Sequence, residues 1–96
     1  AAYGVDRDVL YVKGNNIYTA LKLKVVDAGL NMIDMDVYFE NGQKEHVPLQ
    51  KNFHAGEESR VIDLPGNARR IDKITFLYDT KGIRKGKANI IVFGRR

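Results

Sequence analysis

Residues 31–49 read NMIDMDVYFENGQKEHVPL, and how they pair decides the fold. Apolar Ile33, Met35, Val37 and Phe39 alternate here with Asp34, Asp36 and Tyr38. Successive side chains of a strand point to opposite faces, so this period of two predicts a half-buried strand. Asn41-Gly42 follows, a pair at ease with the positive φ that a tight hairpin turn demands. Residues 43–49 then return as the partner, with Val47 and Leu49 inward. Pro48 cannot donate to a ladder, which marks an edge strand or a strand end.

The same period extends in both directions. In TALKLKVVDA (19–28), Leu21, Leu23 and Val25 share a face opposite Lys22 and Lys24. Ala28-Gly29 predicts a second hairpin, which would set Lys22 and Lys24 across from Asp34 and Asp36 as ion pairs. SRVIDL (59–64) turns Ile62 and Leu64 inward, and PGNARR (65–70) is a connection rich in turn formers. IDKITFLYD (71–79) sets Ile74, Phe76 and Tyr78 against Lys73, Thr75 and Leu77. ANIIVFG (88–94) is apolar on both faces, as expected of a central strand covered on both sides. DVLYV (8–12) supplies a further short strand, and no window holds a 3.6-residue apolar stripe. The expectation is a single all-β domain over 1–96, an antiparallel β-sandwich (jelly-roll or Ig-like) of about seven strands.

DTKGIRKGKANIIVFG (79–94) has the look of a phosphate loop, with Gly82 before Gly86-Lys87. A P-loop needs four residues between its first glycine and the Gly-Lys pair, a following Ser or Thr, and then a helix. Here three residues intervene, Ala88 stands where the hydroxyl belongs, and a strand pattern follows. The stretch therefore reads as a basic connection between strands.

With 44% hydrophobic and 29% charged residues the composition is that of a globular domain rather than a disordered one. No apolar run reaches the roughly 20 residues that a membrane-spanning helix needs. The absence of cysteine removes disulfides, zinc–cysteine sites and thiol nucleophiles. Ser59 is the only serine and lies in GEESR without a nucleophile-elbow pattern. Glu57 and Glu58 are adjacent, so on a strand they would face opposite ways, unlike a glycosidase pair. Asp6/Asp8 and Asp34/Asp36 have the spacing of calcium-ligand pairs, but ion pairing is the favoured reading, and His46 and His54 lack metal-ligand spacing. No catalytic residue, metal or cofactor is expected, and the protein is not expected to be an enzyme.

Charge is unevenly spread. Residues 1–68 carry 7 Lys/Arg against 10 Asp/Glu, and residues 69–96 carry 9 against 2. Arg69, Arg70, Lys81, Arg84, Lys85, Lys87, Arg95 and Arg96 therefore form the candidate binding surface. An anionic glycan, a lipid headgroup or an acidic protein would suit it. Single-stranded nucleic acid on a β-barrel is the alternative, with Tyr3, Tyr11, Tyr18, Phe53 and Tyr78 as stacking candidates and Phe76, Phe93 and Tyr78 in phase with core positions.

A resemblance adds to this. "DRDV" (6–9), "V-x-F/Y-x-N-G" (37–42), "G-x-x-S/T-R-x-I-D-L-P-G" (56–66), "I-x-K-I-x-F" (71–76) and "G-x-A-x-I-x-x-x-G" (86–94) together resemble a family of small uncharacterised, mostly exported bacterial domains. The resemblance implies a β-sandwich and a periplasmic or extracellular setting, and brings no activity. The start Ala1-Ala2-Tyr3, without methionine, is what a cleaved secretory signal would leave, and export is the expectation. The function expected is a non-catalytic binding or structural module, with Pro65-Gly66 a tight corner that Asp63 caps.

Overall fold

The computed structural model describes residues 5–66, 69–79 and 88–96. Among these residues eight strands follow in order: β1 (Val5–Tyr11), β2 (Ile17–Tyr18), β3 (Ala20–Val26), β4 (Leu30–Phe39), β5 (Lys44–Phe53), β6 (Ile62–Asp63), β7 (Arg69–Asp79) and β8 (Asn89–Arg95). All the pairings are antiparallel. They build two sheets, one ordered β1-β7-β4-β5 with β2 also on β7, the other ordered β6-β3-β8. The eighth strand, absent from the sequence reading, is the two-residue β2.

The hairpin at Asn41-Gly42 forms as read. Gly42 has φ 91 and donates to the Phe39 carbonyl, while Phe39 donates to Gln43. The Asn41 carboxamide oxygen accepts from Gln43 N–H. A tight turn closed by a residue of positive φ is a common three-residue solution, and it sets the β4–β5 register. Pro48 lies on β5, which is an edge of the larger sheet.

Leu21, Leu23 and Val25 of β3, Met32, Met35, Val37 and Phe39 of β4, Val47 and Phe53 of β5, and Ile71, Ile74 and Phe76 of β7 join Ile62 and Leu64 in one buried cluster. Both sheets contribute to it, so the alternation of β3, β4, β5 and β7 is explained by a single apolar interior. Ile33 departs from its expected phase. It has no partner on β5 or β7, while Met32 pairs with Lys51 and Tyr78 and is fully buried. An unpaired residue of this kind shifts the alternation by one, so Met32 takes the inward place.

Two further expectations are corrected. Asp27, Ala28 and Gly29 do not close a hairpin: β3 belongs to the smaller sheet and β4 to the larger. The connection crosses between sheets, so Lys22 and Lys24 do not face Asp34 and Asp36. Lys22 pairs instead with Glu58 at 2.9 Å. ANIIVFG is not a central strand either, because β8 is an edge of the smaller sheet. Ile90 and Val92 pack on the core, whereas Ile91 and Phe93 are 41% and 46% exposed.

β3 therefore needs partners on both sides. On one side it pairs with β8 along its whole length, Ala20↔Arg95 to Val26↔Asn89. On the other, β6 reaches only Leu21. The segment 56–59 continues this edge irregularly. Gly56 N–H donates to the Val25 carbonyl, Val25 N–H to Glu57, and Ser59 N–H to Leu23. Leu23 N–H in turn donates to the Ser59 hydroxyl oxygen at 2.9 Å, and that hydroxyl donates to the Arg60 carbonyl. The buried Ser59 thus completes a ladder in place of a backbone carbonyl.

Ser59→Ala should cost about 1–3 kcal/mol, because it strands the buried Leu23 N–H. Chemical denaturation measures this, and Ser59→Thr, which keeps the hydroxyl, should recover most of the loss. A change of only a few tenths of a kcal/mol in the alanine variant would show that the Leu23 amide has another acceptor.

Candidate functional site

Of the predicted basic surface, Arg69, Arg70, Arg95 and Arg96 lie within the described residues. β2 pairs with the start of β7, Tyr18↔Arg69 and Ile17↔Arg70. One residue later the chain has moved to the other sheet: Thr19 N–H donates to the Arg95 carbonyl at 2.8 Å, and Ala20 pairs with Arg95. Residues 17–20 thus draw two arginine pairs, some 25 positions apart in sequence, to one end of the molecule. Arg70 Nε donates to the Asn15 carbonyl at 3.4 Å, and Arg96 Nη1 to Asn16 Oδ1 at 3.3 Å. Arg95 Nη2 lies 3.6 Å from Asp63 Oδ1. Asp63 is well exposed and, among the described residues, takes part in this loose pair, while Gly66 holds the positive φ (78°) expected at the corner, whose following residues 67 and 68 lie outside the described ones.

The junction is fixed by the close approach of Tyr18 to Gly94. A Cβ on Gly94 would meet ring carbons of Tyr18 at 2.5 Å. Only the absence of a side chain there lets Tyr18 lie on β8 and hold β2 beside Arg95. The side chains of Arg70, Arg95 and Arg96 are exposed and bonded at long range, so they keep donors for a ligand at little cost in lost partners.

Lys81, Arg84, Lys85 and Lys87 lie outside the described residues. Their segment leaves β7 at Asp79, and β7 carries Arg69 and Arg70 at its other end, roughly 30 Å away along the strand. The strand predicted after the basic connection is present as β8, beginning at Asn89.

A second constellation escaped the sequence reading. On the face of the larger sheet turned away from the core, Arg7 of β1, Thr75 and Leu77 of β7, Asp34 and Asp36 of β4 and His46 of β5 line a hollow of about 100 Å³. Registers explain the grouping: Asp36 pairs with both Thr75 and His46, and Leu77 with both Arg7 and Asp34. His46 Nδ1 is 2.6 Å from Asp36 Oδ1, and Nε2 is 3.8 Å from Asp34 Oδ2. His46 is a surface residue as expected, but the Asp34/Asp36 pair belongs to it and not to lysines. The clue was available, because counting five residues either way from the Asn41 turn brings Asp36 opposite His46. Among the described residues, no group of three His, Asp or Glu side chains is placed to hold a metal ion.

The remaining candidates have structural employment. Glu57 Oε2 pairs with Lys51 at 2.9 Å, and its Oε1 accepts from His54 N–H. Glu58 pairs with Lys22. The Lys51 hydrogen bond, aided by His54 N–H, holds the Glu57 carboxyl below the usual range, and the Lys22 hydrogen bond does the same for Glu58. A lowered value is the wrong direction for a general acid at neutral pH. Of the aromatic residues, Phe53 is fully buried and unavailable for stacking. Tyr78 is half-buried, with its hydroxyl donating to Asp8 Oδ2 at 2.9 Å. Tyr18 lies on Gly94, Tyr11 is 65% exposed, and Tyr3 is outside the described residues. Phe93, placed in the core by its phase, is instead an exposed ring.

The sequence matches the family described as Domain of unknown function (DUF2541) over residues 1–94. The chain belongs to that family. No curated protein and no solved structure matches it. The DUF2541 match runs through every strand, from β1 to nearly the end of β8, and stops just short of Arg95 and Arg96.

Because Glu57 and Glu58 titrate below their unfolded values, their pairs stabilise the fold above the ordinary carboxylate pKa. That stabilisation is lost as pH falls through the lowered folded values. Thermal melts taken from neutral pH into acid should show stability declining below about pH 4.5. Glu57→Gln with Glu58→Gln should flatten the decline. An unchanged acid profile in that double variant would show that other carboxylates govern it.

Proposed function

We propose that the two sheets pack face to face as a β-sandwich, and that the domain is a non-catalytic binding or structural module of an exported bacterial protein. Its ligand on this reading is anionic, an acidic glycan above all, bound at the end where β2 joins the sheets. The observation that carries the reading is the convergence of Arg69–Arg70 and Arg95–Arg96 on residues 17–20. A guanidinium is always charged and presents donors in a planar fork that matches carboxylate, sulfate and phosphate oxygens. Exposed arginines on two sheets at a junction braced by Tyr18 against Gly94 offer such forks from a firm base.

The exported bacterial setting rests on the motif resemblance. The non-catalytic reading draws on the engagement of Ser59 in the β3 ladder and of Glu57 and Glu58 with lysines. Single-stranded nucleic acid is the weaker alternative, because burial of Phe53 and the half-buried positions of Tyr18 and Tyr78 thin the stacking platform it needs.

Titration with heparin at increasing salt tests the proposal. Binding should weaken steeply with salt, as counterion release requires. Arg70→Glu with Arg96→Glu should abolish most of it, while Lys85→Glu with Lys87→Glu should do far less. Equal losses in the two double variants would spread the site over the basic third. An affinity that the arginine variant leaves unchanged, or tighter binding of single-stranded DNA than of heparin, would contradict the glycan reading.

A further inference from the structure

The edges of the two sheets are guarded unequally. β1 carries Asp6, Arg7 and Asp8 in its first half, ahead of exposed Val9, Leu10 and Tyr11. β5 carries Pro48, a register irregularity and Gln50 at φ 45, with Lys44 and Lys51. β6 is two residues long. Charges, proline, bulges and shortness are the usual means of stopping an edge from pairing with another chain. β8 has none of them between its ends: it reads Ile90-Ile91-Val92-Phe93-Gly94, in unbroken register with β3 over all seven residues.

The direction of its free groups follows from β3. Leu23 and Val25 spend their backbone groups on residues 56–59, so Lys22 and Lys24 turn theirs to β8. Their partners Phe93 and Ile91 therefore face β3. The N–H and C=O groups of Ile90, Val92 and Gly94 point away from it, and among the described residues nothing pairs with that edge. A regular strand with a row of open donors and acceptors is the substrate of strand addition.

We propose that β8 pairs antiparallel with β8 of a second copy of this chain about a two-fold axis at Val92. The inference does not rest on the anionic-ligand reading, although Arg95 takes part in both. Outward backbone groups lie on even-numbered residues, so the register must bring even opposite even. With Val92 opposite Val92 of the second copy, Ile90 meets Gly94, and all seven residues find partners. The same register sets exposed Ile91 against exposed Phe93, twice over. It also brings Arg95 opposite Asn89, whose side-chain amide is held by the Asp27 carboxylate at 2.6 Å. The cation of one copy thus arrives beside an anion of the other, at both ends of the interface. A slide of one pair would set Phe93 against Asn89 and carry Arg95 past the end of the strand. The two small sheets merge into one continuous sheet, β6-β3-β8 followed by the second copy's β8-β3-β6, an isologous contact that closes on itself.

The chain has no cysteine, so introduced thiols report cleanly. Ile91 and Phe93 of opposite copies form a non-hydrogen-bonded pair, whose Cα atoms lie about 4.5 Å apart, within disulfide reach. Ile91 to Ile91 is a diagonal pair at roughly 7–8 Å, beyond it. Sedimentation of the unmodified chain should give twice the monomer mass. Mild oxidation of an equal mixture of Ile91→Cys and Phe93→Cys should give a cross-linked dimer, and neither variant alone should. Ile91→Lys with Phe93→Lys, which places like charges opposite one another, should return the protein to monomer with its circular dichroism unchanged. Monomer mass at millimolar concentration would overturn the proposal and leave the edge to a strand of another protein. A dimer whose mixed variants fail to cross-link would overturn it in favour of a different surface.

Discussion

A strand in the middle of a sheet must have both rows of backbone groups satisfied, and β3 is the strand on which this demand falls hardest. It is buried along Leu21, Leu23 and Val25, so water cannot serve as partner. β8 satisfies one row regularly. The other row is completed by β6 and by a non-repetitive stretch in which a serine hydroxyl takes the part of a carbonyl. Lys22–Glu58 and Lys51–Glu57 tie that stretch to β3 on one side and β5 on the other. The pattern "G-x-x-S/T-R" in the family resemblance has a physical sense here, since Ser and Thr share the hydroxyl that the Leu23 amide needs.

The arginine end depends on the same geometry. Because β3 is locked between its partners, the residues just before it, Tyr18 and Thr19, are fixed where the chain passes from one sheet to the other. β7 and β8 meet at that passage, and their terminal arginines are carried there by register and not by any local attraction. The His46 hollow arises similarly, from four neighbouring strands whose outward rows align.

Alternation made most of the strands legible, because an apolar residue at every second position fits little else. It could not show what is extra to the alternation. The unpaired Ile33 looks like one more inward residue until its neighbours' pairings are known. Nor does alternation reveal whether two successive strands pair or part. Ala28-Gly29 resembles a hairpin turn, yet Asp27 at φ 74 sends the chain to the opposite sheet. β8 was misplaced for a related reason, since an apolar outer face can mean cover by the same chain or by something else. Of the candidate site, the arginines were legible as a charge run. The gathering of Arg69, Arg70, Arg95 and Arg96 at one end, and the Asp36–His46 pair, required registers, although the second could have been counted from Asn41.

Native-state hydrogen exchange on the amides of Leu23 and Val25 tests the closure of β3 most directly. Both should exchange only through global unfolding, as slowly as those at the centre of the larger sheet, Val37 and Phe76. Fast exchange at Leu23 and Val25 beside slow exchange at Lys22 and Lys24 would contradict it, leaving β3 with a single partner and the irregular edge open.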